Sequence, residues 1–321
     1  MSQHVHHMPI DYPQRLKSIS DLSDDHIDRL FDLAKHIHHG VDRDRLTEVA
    51  RGQVLGLLFF EPSTRTQFSF SSAMHRLGGG VIGFSDPAST SISKGETLAD
   101  TIAIVSGYSD ILVARHHTAG AMDEIMDATT LPSINGGDGD GEHPTQALYD
   151  LLTIEAEFGR RDVTIALYGD LRYGRTNHSL VMLASRYGAR IYCVSPRGLE
   201  LPHKYLETAR EAGAKVETVE DLTRVVGDVD VLYVTRLQSE RIGDATRPVS
   251  QIEPVKLNVV NRLKPTAIVM HPLPRTSELS SCVDANIRAR YFSQAKYGLA
   301  LRTALLADML GRTTELRRAF V

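Results

Sequence analysis

Positively charged side chains recur just after the short apolar runs of this sequence, at the places where strands would end. Six arginines hold such positions: Arg65, Arg115, Arg175, Arg236, Arg241 and Arg275. In open α/β sheets, ligands bind beyond the carboxyl ends of the strands. A single arginine there is commonly a solvated loop residue, whereas six at one rim indicate a site for anionic substrates.

The segment FFEPSTRT, residues 59–66, combines hydroxyl groups with a guanidinium group at a predicted strand-to-helix junction. Ser63 and Thr64 precede the helix, so their hydroxyls, the backbone N–H groups and Arg65 could surround an anion such as phosphate. An ordinary N-cap followed by a surface arginine would explain the same residues. The segment does not have the G-x-x-x-x-G-K-[ST] spacing of a Walker loop.

A second constellation begins at His143, which follows a glycine-rich loop and starts a predicted helix. Gln146 comes three residues later and therefore lies on the same helix face. Donors from both side chains could polarise a carbonyl oxygen and hold the negative charge that develops during acyl transfer. The helix dipole disfavours protonation at this end, so we expect a neutral His143. A capping histidine beside an exposed glutamine is the alternative interpretation.

The turn GDLRYGRTNHS, residues 169–179, also follows a predicted strand. Its glycines do not match the G-x-G-x-x-G pattern, so dinucleotide binding is only weakly supported. The alternative is a turn that delivers Arg175 to a substrate carboxylate.

The tract STSISKGETLAD, residues 89–100, is polar and holds Ser91 and Lys94 ahead of a helix predicted to open near Glu96. Such a tract could be a flexible lid over a site. It could equally be a plain surface loop, and the residues alone leave both interpretations open.

Two histidine clusters, His4-Val5-His6-His7 and His36-Ile37-His38-His39, suggest a metal site at first sight. No cysteine or carboxylate completes either cluster at a suitable spacing, and each lies at a terminus or a helix end. We therefore interpret them as incidental surface histidines and predict no metal and no organic cofactor.

Strand-like apolar runs alternate with helical stretches along the whole chain. The longer runs are VLGLLFF (54–60), VIGF (81–84), ILVA (111–114), VTIALYG (163–169), RIYCVS (190–195), VDVLYVT (229–235) and AIVMH (267–271). Near-continuous apolar strands that alternate with helices indicate parallel sheets covered on both faces. We therefore predict an α/β fold.

The stretch HPTQALYDLLTIEAEFG, residues 143–159, reads as a long helix between two strand-helix arrays. A chain of 321 residues is long enough for about two domains of roughly 150 residues each. We place the boundary within this helix, giving domains of residues 1–148 and 149–296. The C-terminal helix, about 297–321, could pack on either domain from its residues alone, and we expect it to pack back on the first.

Composition narrows the class of protein. The 36 basic and 40 acidic residues give a formal net charge of −4, so neither nucleic-acid nor membrane binding is indicated. Cys193 and Cys282 are too few for a disulfide framework, and no apolar run resembles a signal peptide or a membrane span. A cytoplasmic location is expected.

Six segments together carry a family resemblance: FFEPSTRT, SKGETLADTI, GDGDGEHPTQALYDLLTI, YGDLRYGRTNHSL, YVTRLQSERI and MHPLPR. Their order and approximate spacing resemble the catalytic chains of the aspartate/ornithine carbamoyltransferase family, from about residue 15 to the C-terminal helix. S-T-R-T and H-P-T-Q mark the wider family, whereas T-R-L-Q and H-P-L-P-R resemble its aspartate branch. The resemblance implies two doubly wound parallel-sheet domains joined by helices, with the active site in the interdomain cleft.

The resemblance also implies roles for individual residues. It assigns carbamoyl phosphate binding to Ser63, Thr64, Arg65, Thr66, Arg115, His143, Gln146, Ser91 and Lys94. Within that set it implies catalytic roles for Arg65, Thr66, Arg115, His143, Gln146 and Lys94. Aspartate would bind to Lys94, Arg175, Arg236, Gln238, Pro272 and Leu273. Glu61 would pair with Arg175 and Arg241 when the domains close.

The implied reaction transfers the carbamoyl group of carbamoyl phosphate to L-aspartate, in pyrimidine biosynthesis. In the family, the loop with Ser91 and Lys94 enters the active site of the neighbouring subunit, which implies a homotrimer; a regulatory chain or a dihydroorotase could be further partners. Two alternatives stay open: a carbamoyltransferase for ornithine or an acylated ornithine, and a non-catalytic scaffold. Gln67, Ser71 and a lid loop shorter by one residue depart from the common family pattern.

Overall fold

The computed structural model describes residues 14–241 and 252–321 and contains two parallel β-sheets of five strands each. The first sheet consists of β1 (Arg15–Leu16), β2 (Val54–Phe59), β3 (Gly80–Phe84), β4 (Ile111–His116) and β5 (Ser133–Asp138). Its strand order is β1-β5-β4-β2-β3, and every neighbouring pair is parallel. The carboxyl ends of these strands therefore meet at one edge.

Helices cover the first sheet. They are α1 (Asp24–His39), α2 (Arg43–Leu46), α3 (Thr64–Arg76), α4 (Leu98–Ser106), α5 (Ala121–Asp127) and α6 (Pro144–Phe158). Helix α1 begins where the Ser23 hydroxyl accepts the His26 N–H at 3.2 Å, with two aspartates in its first turn. Helix α6 ends at Gly159, whose φ of 67° suits glycine.

The second sheet repeats this plan. Its strands are β6 (Thr164–Gly169), β7 (Arg190–Val194), β8 (Lys215–Thr218), β9 (Val231–Thr235) and β10 (Ile268–Met270). The order is β10-β9-β6-β7-β8, again with every pair parallel. Its helices are α7 (Arg175–Ser185), α8 (His203–Glu211) and the short α9 (Leu257–Val260). The predicted fold class is confirmed.

Two edge strands, β1 and β8, were not predicted. In β8 only Val216 is buried, because the strand has a single neighbour and its other side chains face solvent. An apolar run is therefore missing from its sequence, and periodicity alone does not distinguish it from a loop.

The chain ends in α10 (Tyr291–Met309) and α11 (Thr313–Arg318). Helix α10 packs against α1, α3 and α6, and Leu301 and Leu305 join the apolar core beside the first sheet. Gly298 permits this approach, since a Cβ there would lie 3.0 Å from the Tyr149 ring. Within the described ranges, the helices are too short or too polar for a membrane span. The division into domains near residue 148 stays a prediction.

Candidate active site

The carboxyl ends of the two sheets face a common cleft of about 370 Å³. One wall follows the strands of the first sheet and consists of Glu61, Pro62, Ser63, Thr64, Arg65, Thr66, Arg115 and His143. The opposite wall consists of Gly174, Arg175, Thr176, Arg236, Gln238, Glu240, Arg241, His271, Pro272, Leu273 and Pro274. Five arginines against two glutamates give this small volume an excess of positive charge, which suits polyanionic substrates.

The Ser63–Thr66 segment forms the N-terminus of α3. Ser63 occupies the N-cap position, but its side chain makes no capping hydrogen bond. The first turn carries no acidic residue, so no carboxylate of that turn neutralises the positive end of the helix dipole. The N–H groups of the turn face the cleft. Thr66 is buried, and its Oγ1 lies 3.4 Å from His143 Nε2. The segment therefore presents hydroxyls, backbone donors and Arg65 to one small space.

Glu61 is the centre of a cluster of three arginines. Its Oε2 lies 3.0 Å from Arg115 and 2.8 Å from Arg175, and its Oε1 lies 3.0 Å from Arg241. Burial would raise the pKa of this carboxyl, but Arg175, Arg115 and Arg241 outweigh burial and lower it. Glu61 thus stays ionised and joins the first wall of the cleft to the second.

The arginines of this cluster are themselves deeply placed. Burial lowers the pKa of Arg175 to about 10 and that of Arg115 well below its usual value. Arg175 also donates to the Gly139 carbonyl at 2.6 Å. The Nε of Arg115 is buried and has no hydrogen-bond partner among the described residues. Unsatisfied buried donors of this kind are costly, so a ligand that accepts from them would be stabilised.

His143 is the N-cap of α6 and is almost fully buried. Burial, together with the positive charges of Arg175, Arg302 and Arg115, holds the pKa of His143 well below its usual value, so the ring is neutral. Its Nδ1 has no partner in the described part of the chain. Its backbone N–H donates to Ser179 Oγ at 3.0 Å, which fixes the residue from α7. A neutral ring with free hydrogen-bonding capacity fits the predicted contact with a carbonyl oxygen.

Arg236 and Gln238 follow β9 and reach the second wall. Arg236 is paired with Glu240, with one contact of 2.9 Å from its Nη1, and it also donates to the Leu237 carbonyl. The backbone N–H of Gln238 donates to Asp170 at 3.0 Å, which anchors this loop to the end of β6. The guanidinium of Arg236 is therefore positioned beside the cleft but neutralised by a neighbouring carboxylate.

Pro272 and Leu273 line the cleft on a turn after β10 that a buried histidine supports. Leu273 N–H donates to His271 Nδ1 at 2.7 Å, so His271 Nε2 carries the proton and donates to Glu278 at 2.8 Å. Burial would raise the pKa of Glu278, but hydrogen bonds from His271 and Thr276 lower it to about 2. Leu273 has a φ of 54°, in the left-handed region.

Three residues implied by the resemblance lie outside this cleft. The Gln146 side chain donates to Asp150 at 2.8 Å and accepts from the Tyr149 hydroxyl, so both ends of its amide are engaged beneath the cleft. Ser91 and Lys94 lie in a short 3₁₀ helix, Ser91–Lys94, and are exposed. Their roles stay predictions.

Arg275 corrects the expectation that six arginines converge on the rim. Its guanidinium pairs with Asp284, with a contact of 2.7 Å from Nη2, and packs over the rings of Tyr291 and Phe292. Following a strand was therefore an insufficient criterion, because the chain turns away after Pro274 and carries Arg275 out of the cleft.

Sequence reasoning missed Glu240, Thr176 and His271 as cleft residues. Glu240 lies four residues after Arg236 in the same R-L-Q-S-E segment, and that spacing was the available signal for an ion pair. His271 ends the AIVMH run, and its position at a strand terminus was the same signal that identified the arginines.

The second histidine cluster lies in the last turn of α1. His38 stacks on Tyr297 with a ring-centroid separation of 4.0 Å, and His36 stacks on Phe320 at 5.0 Å. Residues 14–241 and 252–321 contain no group of three or more His, Cys, Asp or Glu side chains arranged to hold a metal ion. The first cluster, at residues 4–7, lies outside the described residues.

Two family models match this chain. The carbamoyl-P binding domain of aspartate/ornithine carbamoyltransferases matches residues 14–156, and the Asp/Orn binding domain matches residues 161–309. Among curated proteins, the aspartate carbamoyltransferase catalytic subunit of Thermoplasma acidophilum is 47% identical over 297 residues, which is 92% of this chain and 97% of that protein. The corresponding subunit of Archaeoglobus fulgidus is 44% identical over 300 residues, which is 92% of this chain and 99% of that protein.

Solved structures with the same fold come from Trypanosoma cruzi. Its aspartate transcarbamoylase in complex with carbamoyl phosphate has a TM-score of 0.88 and 40% identity, covering 92% of this chain and 96% of that one. The complex with N-(phosphonacetyl)-L-aspartic acid has a TM-score of 0.86 and 41% identity, covering 92% and 95%.

Proposed function

The chain belongs to the aspartate/ornithine carbamoyltransferase family, and from that premise we propose which residues of the cleft carry its reaction. The reaction is the transfer of the carbamoyl group from carbamoyl phosphate to the amine of L-aspartate, which yields N-carbamoyl-L-aspartate and phosphate. The observation that supports this assignment most directly is the convergence of Arg65, Arg115, Arg175 and Arg236 on one small cleft.

The phosphate of carbamoyl phosphate binds at the N-terminus of α3. Ser63, Thr64, Arg65 and Thr66 supply hydroxyls, backbone N–H groups and one guanidinium there, and Arg115 adds a second cation. Two observations support this placement: the Ser63 side chain makes no capping hydrogen bond, and the Nε of Arg115 has no partner within residues 14–241 and 252–321. Phosphate and Glu61 would then share Arg115.

The carbamoyl oxygen is held by Thr66, Arg115 and His143. When the amine of aspartate attacks the carbamoyl carbon, the oxygen gains negative charge, and preorganised donors stabilise that charge without reorganising. His143 is neutral at any pH above its lowered pKa, and a neutral ring donates from one of its two nitrogens. Gln146 was predicted to donate to this oxygen, but its amide nitrogen is held by Asp150, so we assign its oxygen, which keeps one lone pair, to the carbamoyl NH₂ group instead. The leaving phosphate takes the amine proton, so the protein needs no nucleophile of its own.

The two carboxylates of aspartate bind to Arg175, Arg236 and Gln238, with the backbone carbonyls of Pro272 and Leu273 beside the amine. In the structure Arg236 is paired with Glu240. A substrate carboxylate must therefore take the place of Glu240 on this guanidinium. The exchange of one carboxylate for another keeps the guanidinium charge of Arg236 compensated.

Lys94 and Ser91 act in the neighbouring subunit. They lie on an exposed 3₁₀ helix outside the cleft of their own chain, which suits residues that complete a site across an interface. The enzyme is accordingly a homotrimer with shared active sites. It is located in the cytoplasm and works in pyrimidine biosynthesis.

The two domains hold different substrates. The first domain ends near residue 148 and holds carbamoyl phosphate, while residues 149–296 hold aspartate. Glu61 joins the two through Arg175 and Arg241.

A direct assay tests the function. Purified protein is incubated with carbamoyl phosphate and either L-aspartate or L-ornithine, and the products are separated by chromatography. We expect N-carbamoyl-L-aspartate and phosphate in equal amounts, with ornithine carbamoylated far more slowly. Equal or faster turnover of ornithine would contradict the aspartate assignment, and no turnover of either amine would contradict catalysis altogether.

A further inference from the structure

A fully buried carboxylate lies beneath the cleft, at a point where two helices, α6 and α10, meet the strand β9. Asp150, in α6, has no exposed surface. Its Oδ1 accepts from Gln146 Nε2 at 2.8 Å and from Gln294 Nε2 of α10 at 2.6 Å, while its Oδ2 accepts from the Tyr233 hydroxyl of β9 at 2.6 Å. None of the roles derived above uses Asp150, so its charge and its three partners need another explanation.

One branch of this network reaches the turn after β10. Gln294 donates to Asp150 and, through its Oε1, accepts the backbone N–H of His271 at 3.0 Å. The ring of His271 in turn accepts the N–H of Leu273 at 2.7 Å. A continuous series of hydrogen bonds therefore runs from Asp150 to the turn that lines the aspartate side of the cleft.

The other branch sets the polarity of the Gln146 amide. A carboxylate only accepts hydrogen bonds, so the nitrogen of Gln146 must face Asp150 and its oxygen must point the opposite way. That oxygen now accepts from the Tyr149 hydroxyl and keeps a second lone pair. A carbamoyl NH₂ group is a donor, and an oxygen is the end of the amide that it requires.

We propose that Asp150 is a positioning residue, whose Oδ1 fixes the amide of Gln146 on the carbamoyl side and, through Gln294, the His271–Leu273 backbone on the aspartate side. One buried oxygen atom thereby fixes the carbamoyl side and the aspartate side of the cleft relative to each other. The inference rests on the proposed function, which supplies the substrates but not the network.

The network works in either ionisation state of Asp150. Burial raises the pKa of this carboxyl to about 7, although hydrogen bonds from Tyr233, Gln294 and Gln146 and the positive charge of Arg302 in α10 each lower it. Tyr149 is the other titratable neighbour on α6. A proton on Oδ2 can be donated to the Tyr233 oxygen, which leaves Oδ1 free to accept from both glutamines. An asparagine can reproduce that protonated arrangement.

Three variants test this. Asp150→Asn keeps an oxygen for both glutamines and should change each KM by less than about threefold, since both charge states suffice. Asp150→Leu removes that oxygen and should raise the KM of both substrates about tenfold or more, because two amides lose their acceptor. Gln294→Leu cuts only the branch to His271 and should raise the KM of aspartate about tenfold, with the KM of carbamoyl phosphate within about twofold.

Calorimetry of the same variants separates this inference from the proposed function. For Gln294→Leu we expect unchanged affinity for inorganic phosphate and about tenfold weaker binding of N-(phosphonacetyl)-L-aspartic acid, whether or not the protein turns over. Equal weakening of both ligands, or unchanged binding of the analogue, would overturn the inference. Should Asp150→Leu fail to fold in a thermal melt, Gln294→Leu and Asp150→Asn still decide it. An inactive wild-type protein would overturn only the proposed function.

Discussion

Glu61 offers the sharpest test of how the two walls of the cleft hold together. The substitution Glu61→Gln keeps the shape of the side chain and removes its charge. In the structure this carboxylate contacts Arg175 and Arg241 from the opposite wall at 2.8 and 3.0 Å, with only 18% of its side chain exposed. In the variant, one arginine meets the neutral amide oxygen of glutamine, and the other meets its NH₂ group, which cannot accept a hydrogen bond.

The magnitude follows from those two bonds. A hydrogen bond to a charged group contributes about 1.5–3 kcal/mol and a neutral one about 0.5–1.5 kcal/mol, so each bond loses about 1 kcal/mol. Two such losses amount to about 2 kcal/mol, or about 30-fold in an equilibrium constant. We expect the KM of aspartate to rise about 30-fold, because Arg175 is held for this substrate by Glu61. The KM of carbamoyl phosphate should not rise, since Arg115 is released toward phosphate.

Initial-rate kinetics with each substrate varied in turn measure both constants. Glu240→Gln is the matched control, because it makes the same chemical change in the same cleft but frees Arg236 rather than disordering it. Its aspartate KM should stay the same or fall. An unchanged aspartate KM in Glu61→Gln, or equal weakening of both substrates, would refute the reasoning.

Three further predictions concern separate parts of the molecule. His143→Ala should lower kcat about a hundredfold through the loss of one preorganised donor, and the pH–rate profile should lose no ionisation between about pH 6 and 8, because the ring is neutral throughout that range. Rate assays across that range would measure kcat and the profile, and the loss of a titration step near neutrality would contradict the neutral ring. An equimolar mixture of Lys94→Ala and Arg65→Ala chains, unfolded and reassembled together, should recover about a quarter of wild-type activity, since about one interface in four then joins two intact halves; no recovery would contradict shared sites. Glu278→Gln should lower the free energy of unfolding at pH 7 by up to about 3 kcal/mol, because the lowered pKa of this carboxyl stabilises the fold at pH values above about 4.5, its pKa in the unfolded chain, and that stabilisation is lost as the pH falls toward 2. Denaturant unfolding of both proteins at pH 7 and pH 3 would measure this, and an equal difference at the two pH values would contradict the linkage.

The parallel sheets were predictable because their central strands are buried on both faces. Strands such as β2 and β4 carry continuous apolar runs, which have few other interpretations in a chain with alternating helices. The edge strand β8 was not predictable from such runs, since it buries only Val216. Burial on both faces, rather than strand propensity, was the informative signal.

The site was predictable where the backbone alone decides the placement. Residues at strand ends or helix N-termini, such as Thr66 and His143, reach the cleft because the fold fixes where those ends lie. The prediction was wrong for Arg275, because one further turn of the chain directs its side chain to Asp284 instead of the cleft. Gln146 comes three residues after His143 but does not line the cleft, because its amide donates to Asp150 one helical turn further on, an i,i+4 spacing that the sequence does contain. The other partners of Asp150, Tyr233 and Gln294, come from distant elements and have no local sequence signal.

The left-handed backbone of Leu273 bears on attempts to make this protein more heat-resistant. Among the described residues it is the one non-glycine position with a positive φ, and such a conformation costs of order 1–3 kcal/mol. A glycine or asparagine there would relieve that cost and would look attractive in a thermostabilisation campaign. The relaxed turn would also be freer to shift, and a displacement of about 1 Å is enough to misalign a reacting amine. Residue 273 is thus a position where melting temperature and catalytic fitness pull in opposite directions.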